Sequence, residues 1–168
     1  MDHLERIELN LQEILAATPG NLLNVENAIL QASKAQPFSE FVYDSRKAIQ
    51  DSIFVCIPGN RVDGHDFIDD VVKNGTTLII GQNADKLKVA ANKYPRVFFY
   101  VVNDVLTALQ DTARFYRRKF AVPAIGLSGS SGKTTTKDLL GAIVRNAGPA
   151  LVTVGTLNNH WGVPQTVL

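Results

Sequence analysis

Gly126-Leu-Ser-Gly129-Ser-Ser-Gly132-Lys133-Thr134-Thr135-Thr136 decides how this 168-residue chain is read. Ahead of it, Ala124-Ile125-Gly126-Leu127 reads as a short strand. Behind it, Leu139, Leu140, Ile143, Val144 and Ala147 recur at helical spacing, so a helix is expected over 133–147. A glycine-rich turn between a strand and a helix suits phosphate oxygens, which need inward-pointing backbone N–H groups and no bulky Cβ atoms in the way. Lys133 would set a point charge on the β/γ-phosphates, and the Thr134 hydroxyl would reach Mg²⁺. The expected nucleotide contacts are Gly129, Ser130, Ser131, Gly132, Lys133, Thr134 and Thr135. Lys133 and Thr134 are the residues expected to act in catalysis, and Thr134 is the expected metal ligand. The strict Walker form has glycine where this chain has Leu127. A phosphate loop alone does not separate kinase, GTPase, motor or ligase.

Downstream, Gly148-Pro149 stops the helix and Leu151–Val154 reads as another strand, completing one βαβ unit. Upstream, Ala121-Val122-Pro123 reads as a hinge. Before the hinge, β-rich runs at 40–44, 52–57, 77–81 and 97–102 alternate with helical segments at 65–74, 84–93 and 104–120, the signature of an α/β domain. Asn103-Asp104 can cap the last of these helices. The first 36 residues read as a helical lead-in: Leu4, Ile7, Leu11, Ile14 and Leu15 form one stripe, Thr18-Pro19-Gly20-Asn21 breaks it, and a second helix is expected from Leu22 to about Ala35. Arg114, Arg117, Arg118 and Lys119 read as a solvated helix end. Cys56, alternating within a strand, reads as a buried thiol.

Seventeen basic against sixteen acidic residues leave a formal charge of +1, which excludes a strongly basic nucleic-acid binder and an acidic disordered tail. The apolar fraction of 45% is enough for a core. Apolar runs are too short to span a membrane, and the N-terminus MDHLERIE is not that of a signal peptide. One cysteine makes no internal disulfide, and no His/Cys/Asp spacing suggests zinc. A cytoplasmic protein is expected. No oligomeric state follows from these features.

Three segments together resemble the Mur ligase family. The phosphate loop matches the family's G-x-T/S-G-x-x-G-K-T-T/S habit, in which the first Walker glycine is missing. Tyr43-Asp44-Ser45-Arg46-Lys47, Asp51-Ser-Ile-Phe-Val-Cys-Ile-Pro-Gly59 and Asn60-Arg61-Val-Asp63-Gly64-His65-Asp66-Phe67 look like the family's uridine-binding front. Gly155-Thr-Leu-Asn158-Asn159-His-Trp-Gly162-Val-Pro164-Gln-Thr166 looks like the N-N-x-x-G-x-P-x-T stretch of one branch, which joins D-alanyl-D-alanine to UDP-N-acetylmuramoyl-tripeptide. Without the resemblance, Asp44-Ser45-Arg46 is a polar turn whose Arg could fork an anion. His65 could equally contact ligand or cap a helix, Asn158-Asn159 beyond a strand end could face phosphates, metal or substrate or form a turn, and Trp161 reads as packing.

The resemblance implies an α/β chain in two parts: a UDP-muramoyl-binding domain over 1–121, then over 122–168 the first βαβ unit of a parallel-sheet ATPase domain. It implies Ser45, Arg46, His65, Asn158 and Asn159 as UDP-muramoyl contacts, and ATP with Mg²⁺ as co-substrate and cofactor. The implied reaction phosphorylates the terminal carboxylate of the muramoyl tripeptide, and the amine of D-alanyl-D-alanine then displaces phosphate from the acyl phosphate. The rest of the family's central domain, with a metal-binding Glu, a modified Lys and a His, and its C-terminal domain would follow Leu168. The 168-residue chain by itself is therefore expected to be inactive and truncated. The rival readings are the ligase that adds the third residue, a non-catalytic nucleotide-binding module, and a phosphate-loop kinase or GTPase. The last is disfavoured because those enzymes carry the loop near their own N-terminus.

Overall fold

The computed structural model describes residues 9–25, 38, 40–59, 62–155 and 159–168. Five strands form one sheet: β1 (Asn21–Leu23), β2 (Phe41–Val42), β3 (Ile53–Val55), β4 (Leu78–Gly81) and β5 (Phe98–Val101). Their order across the sheet is β1-β5-β4-β3-β2. β2 to β5 run parallel, with Ile53 opposite Leu78 and Leu78 opposite Phe98, and β1 lies antiparallel against β5. The helices are α1 (Leu11–Ala17), α2 (Ile68–Lys73), α3 (Ala84–Lys93), α4 (Val105–Arg117), α5 (Lys133–Ala147) and α6 (Gly162–Val167). Short 3₁₀ turns occupy Ser45–Lys47 and Gly64–Phe67.

The β-branched and aromatic strand residues sort by alternation onto two faces. Ile53, Val55, Leu78, Ile80, Phe98 and Tyr100 meet α1, α4 and α6 through Leu11, Ile14, Val105, Ala108 and Trp161. Phe54, Cys56, Ile79 and Phe99 meet α2 and α3 through Ile68, Val71, Leu87, Ala90 and Ala91. With helices on both faces, the central strands are apolar throughout, and each fully buried large side chain contributes about 1.5–3 kcal/mol.

The four strands expected before the hinge and the helices at 84–93 and 133–147 form at or within their sequence bounds. The helix expected over 65–74 begins as a 3₁₀ turn. Asp104 caps α4, its carboxylate accepting from Thr107 N–H at 2.7 Å. α1 is held by a capping box in which Asn10 and Glu13 bond each other's backbone N–H groups at 3.0 Å. Cys56 is fully buried and unpaired, and burial, with the nearby Asp63 charge, pushes its thiol pKa well up.

Two expectations fail. The helix proposed from Leu22 begins instead as β1, because Asn21–Leu23 completes the exposed edge of β5; the remainder, 26–37, lies outside the described residues. Ala124–Leu127 and Leu151–Val154 join no ladder, since a strand exists only through a paired neighbour and these segments find none among the described residues. The 151–154 segment nonetheless packs on α5: Val152 abuts the buried Gly141, and Lys137 Nζ donates to Thr153 O at 2.6 Å.

Asn24 holds the end of α3 to the sheet. It sits at φ +62°, and its amide donates towards the carbonyls of Ala91, Tyr94 and Val97 at 3.1–3.3 Å. Asn24→Ala should cost about 2 kcal/mol, from orphaned carbonyls and the positive φ, read as a shift in the urea midpoint. Among the described residues, no helix is long and apolar enough to cross a membrane.

Candidate functional site

The glycine-rich loop lies open: every residue from Ala121 to Gly132 is exposed. Gly132 caps α5 at φ +72°, a left-handed conformation that costs a Cβ-bearing residue about 1–2 kcal/mol. Having no side chain, Gly132 leaves the first N–H groups of α5 without a side-chain cap. Lys133 folds back over the loop, with Nζ donating to Gly129 O at 2.5 Å. Among the described residues the Thr134 hydroxyl has no partner, and Thr134 and Thr135 are exposed. An uncapped helix N-terminus, a lysine over the loop and a free hydroxyl form a donor set suited to a polyphosphate and a hard, oxygen-loving cation. Among the described residues no group of three or more His, Cys, Asp and Glu side chains could hold a metal ion.

The second cluster lies where parallel strands β2, β3 and β4 end, the edge at which open α/β sheets take ligands. After β2, Asp44 caps the Ser45–Lys47 turn by accepting from Arg46 N–H at 3.1 Å. The Arg46 guanidinium forks the same carboxylate at 2.9 and 2.6 Å. These Arg46 bonds hold the Asp44 carboxyl down at about 2. Arg46 stays 86% exposed, so its fork can exchange Asp44 for a phosphate. Ser45 is half-buried.

After β3 and β4, side chains close a ring. His65 Nδ1 lies 2.6 Å from Asp63 Oδ1, and His65 Nε2 accepts from Asn83 N–H at 3.1 Å. Asn83 Oδ1 accepts from Lys86 N–H at 3.1 Å, and Lys86 Nζ donates to Asp63 at 2.9 Å and to Asp66 at 2.6 Å. The His65 side chain is 1% exposed and both ring nitrogens are engaged. The cap of the turn at Gly64–Phe67 is Asp63, which accepts from His65 N–H at 3.0 Å, and the imidazole instead ties Asp63 to Asn83. Burial raises the pKa of Asp63, but bonds from Lys86 and His65 outweigh it and hold the carboxylate well below its ordinary range.

The sign of the pH effect follows. A carboxylate depressed in the folded state gives its full stabilisation above the unfolded pKa near 3.9, and loses it as pH falls towards the folded value. Between pH 5 and 2 the urea midpoint of the wild-type chain should fall more steeply than that of Asp63→Asn. At pH 7 that variant should be less stable by about 2 kcal/mol.

Asn159 serves as a local cap, its Oδ1 accepting from Trp161 N–H at 3.1 Å and Gly162 N–H at 2.7 Å. Asn158, with Asn60 and Arg61, lies outside the described residues. Trp161 is packing, as expected: it and Leu168 join the apolar face under α4, and Gln110 donates to His160 O at 3.2 Å. The basic end of α4 is more than a solvated face. Arg117 holds the hinge through the carbonyls of Phe120, at 2.8 Å, and Val122, and Lys119 pairs with Glu13 of α1. Asn83 and Lys86 escaped the sequence reading. An Asn directly before a helical stretch was a visible cap signal, but its bond to His65, eighteen residues away, was not.

Two family models match this architecture part for part: the Mur ligase family catalytic domain over residues 38–117 and the Mur ligase middle domain over 127–168. The chain belongs to the Mur ligase family. Over 125 residues this Mur ligase chain is 35% identical to UDP-N-acetylmuramoyl-tripeptide--D-alanyl-D-alanine ligase of Bacillus subtilis, an alignment covering 74% of the chain and 26% of that protein. It superposes on MurF of Acinetobacter baumannii with a TM-score of 0.74 and 32% identity, over 95% of the chain and 32% of MurF. The MurF ligase of Thermotoga maritima, solved in complex with ADP, matches with a TM-score of 0.63 and 32% identity, over 76% of the chain and 28% of that structure. The chain thus spans about a third or less of the relatives it matches.

Proposed function

We propose that this chain is the UDP-substrate-binding and phosphate-binding part of an ATP-dependent amide ligase that joins D-alanyl-D-alanine to UDP-N-acetylmuramoyl-tripeptide. The observation that carries the reading is the phosphate loop: Gly132 at positive φ, an uncapped α5 N-terminus and Lys133 above it. The similarity to MurF proteins over most of the chain supports the choice of substrates. With ATP as co-substrate, the reading implies a cytoplasmic enzyme.

A carboxylate does not condense with an amine in neutral water; it must first gain a leaving group. Transfer of the γ-phosphoryl of ATP to the tripeptide carboxylate gives an acyl phosphate and ADP. Attack by the D-alanyl-D-alanine amine forms the amide and releases phosphate and a proton. The N–H groups at the start of α5 and the Lys133 ammonium stabilise charge on the phosphates as it redistributes. Thr134 would hold Mg²⁺, which neutralises phosphate charge. At the other end, Ser45 and Arg46 hold the UDP handle, and such remote contacts position the reacting carboxylate.

The complete gene product, given ATP, Mg²⁺ and UDP-N-acetylmuramoyl-tripeptide, should release ADP and phosphate in step with added D-alanyl-D-alanine. Turnover with a diamino acid acting on the dipeptide precursor instead would replace this reading with the third-residue ligase. Nucleotide binding with no turnover would leave a binding module. The 168-residue chain alone should bind both ligands without turnover. In a titration with the muramoyl tripeptide, NMR signals of Ser45 and Arg46 should shift.

A further inference from the structure

We infer that His65 is a positioning residue for the UDP handle, acting through a bond that fastens the loop after β4 to the loop after β3. The inference rests on the proposed binding of that handle at this edge of the sheet.

The loop after β3 is built as a closed excursion. Pro58 and Asp63 pair across its neck as an antiparallel bridge, and Gly64 N–H donates to Ile57 O at 3.0 Å. The base of the loop therefore lies at the strand ends, the edge that also carries the Ser45–Lys47 turn. This base is tied to β4 from two sides. Cys56 N–H donates to Ile80 O at 2.8 Å along the ladder, and His65 Nε2 accepts from Asn83 N–H beyond the strand end. The imidazole reaches Asn83 because nothing stands between: at Gly81 a Cβ would lie 2.5 Å from His65 Nε2. The glycine at the end of β4 and the histidine after β3 are a matched pair.

The two nitrogens have different jobs. Nδ1 faces Asp63, two residues away, so this bond is local and only orients the ring. Nε2 faces an amide eighteen residues on, so this bond joins separate loops. Asp63, an acceptor, requires Nδ1–H, which leaves Nε2 as the acceptor that Asn83 needs. Asp63, Asp66 and Lys86 are the charged groups around the ring, with Cys56 on the sheet beneath. Asn83 also caps the helix that carries Lys86, whose ammonium is the second grip on Asp63, so the cross-loop bond and that grip share one anchor. Without the cross-loop bond, the Pro58–Asp63 bridge and the Gly64–Phe67 turn would sample positions that do not match the handle, and the reordering would lower affinity.

Two half-mimics separate the jobs. His65→Asn keeps a donor for Asp63 but cannot reach Asn83, whereas His65→Gln extends an amide oxygen towards the Nε2 position. Calorimetric titration of the full 168-residue chain with UDP-N-acetylmuramoyl-tripeptide should show affinity reduced about tenfold or more in His65→Asn and within about threefold of wild type in His65→Gln. MgADP affinity should be unchanged in both. Equal handle affinity in His65→Asn and wild type overturns the inference. So does a parallel loss of MgADP affinity, which marks general destabilisation, or a loss in His65→Gln equal to that in His65→Asn. A wild-type chain that binds no muramoyl tripeptide overturns the proposed handle site and this inference together. A second measurement needs no variant: exchange of the Asn83 amide proton in the wild-type chain should slow when the muramoyl tripeptide is bound, and an unchanged rate counts against the inference.

Discussion

Lys133→Ala should weaken MgADP binding to the chain by roughly 30- to 100-fold, the equivalent of one charge-assisted phosphate contact. The ammonium sits over the loop at 2.5 Å from Gly129 O, with no carboxylate holding it elsewhere among the described residues. Its charge is therefore available to an incoming phosphate without a salt bridge to break. Because the loop is exposed, the thermal midpoint of the apo chain should move little, which separates lost binding from lost folding. Lys133→Arg should not restore binding fully, since a planar fork is a poor substitute for a compact charge over a tight loop. Titration of a fluorescent ADP analogue with Mg²⁺ reads both variants. Wild-type affinity in Lys133→Ala would remove the phosphate loop from the proposed function.

Phe99→Ala should be the most damaging single change to the fold, costing about 3–5 kcal/mol in urea unfolding. The ring is fully buried in β5, faces α2 and α3, and shares its cluster with Phe54, Ile79 and Leu87. β5 is also the strand that β1 and β4 both flank, so a cavity there is bordered by ladders that cannot collapse to fill it. Against a typical domain stability of about 5–15 kcal/mol, the loss would leave a substantial unfolded fraction under mild denaturant. The damage should spread to the ligand edge, because the loops after β3 and β4 hang from the same sheet. Muramoyl-tripeptide binding should therefore fall with the folded fraction, whereas Lys133→Ala should leave it intact.

The sequence by itself determined the elements whose pattern is local. Short β-rich runs marked four strands, helical periodicity marked α5, and Asp104 announced the start of α4. Each of these is set by side-chain spacing within one segment, which is why the bounds come so close. The glycine-rich turn into α5 was legible for the same reason: three glycines close together precede the helical stripe, and the structure sets Gly132 at positive φ. Tertiary structure decided whatever depends on a partner far along the chain. Asn21–Leu23 became a strand because β5 offered an open edge, while 124–127 and 151–154 stayed unpaired because no edge met them. His65, open between ligand contact and helix cap in the sequence, gained from the fold two partners that spacing did not show, Asp63 at Nδ1 and Asn83 at Nε2. Arg117 gained its grip on the hinge from the path of the chain after α4. A hydrogen bond needs its two groups within about 3 Å, and residue spacing reports that distance only inside a helix, a turn or a paired strand.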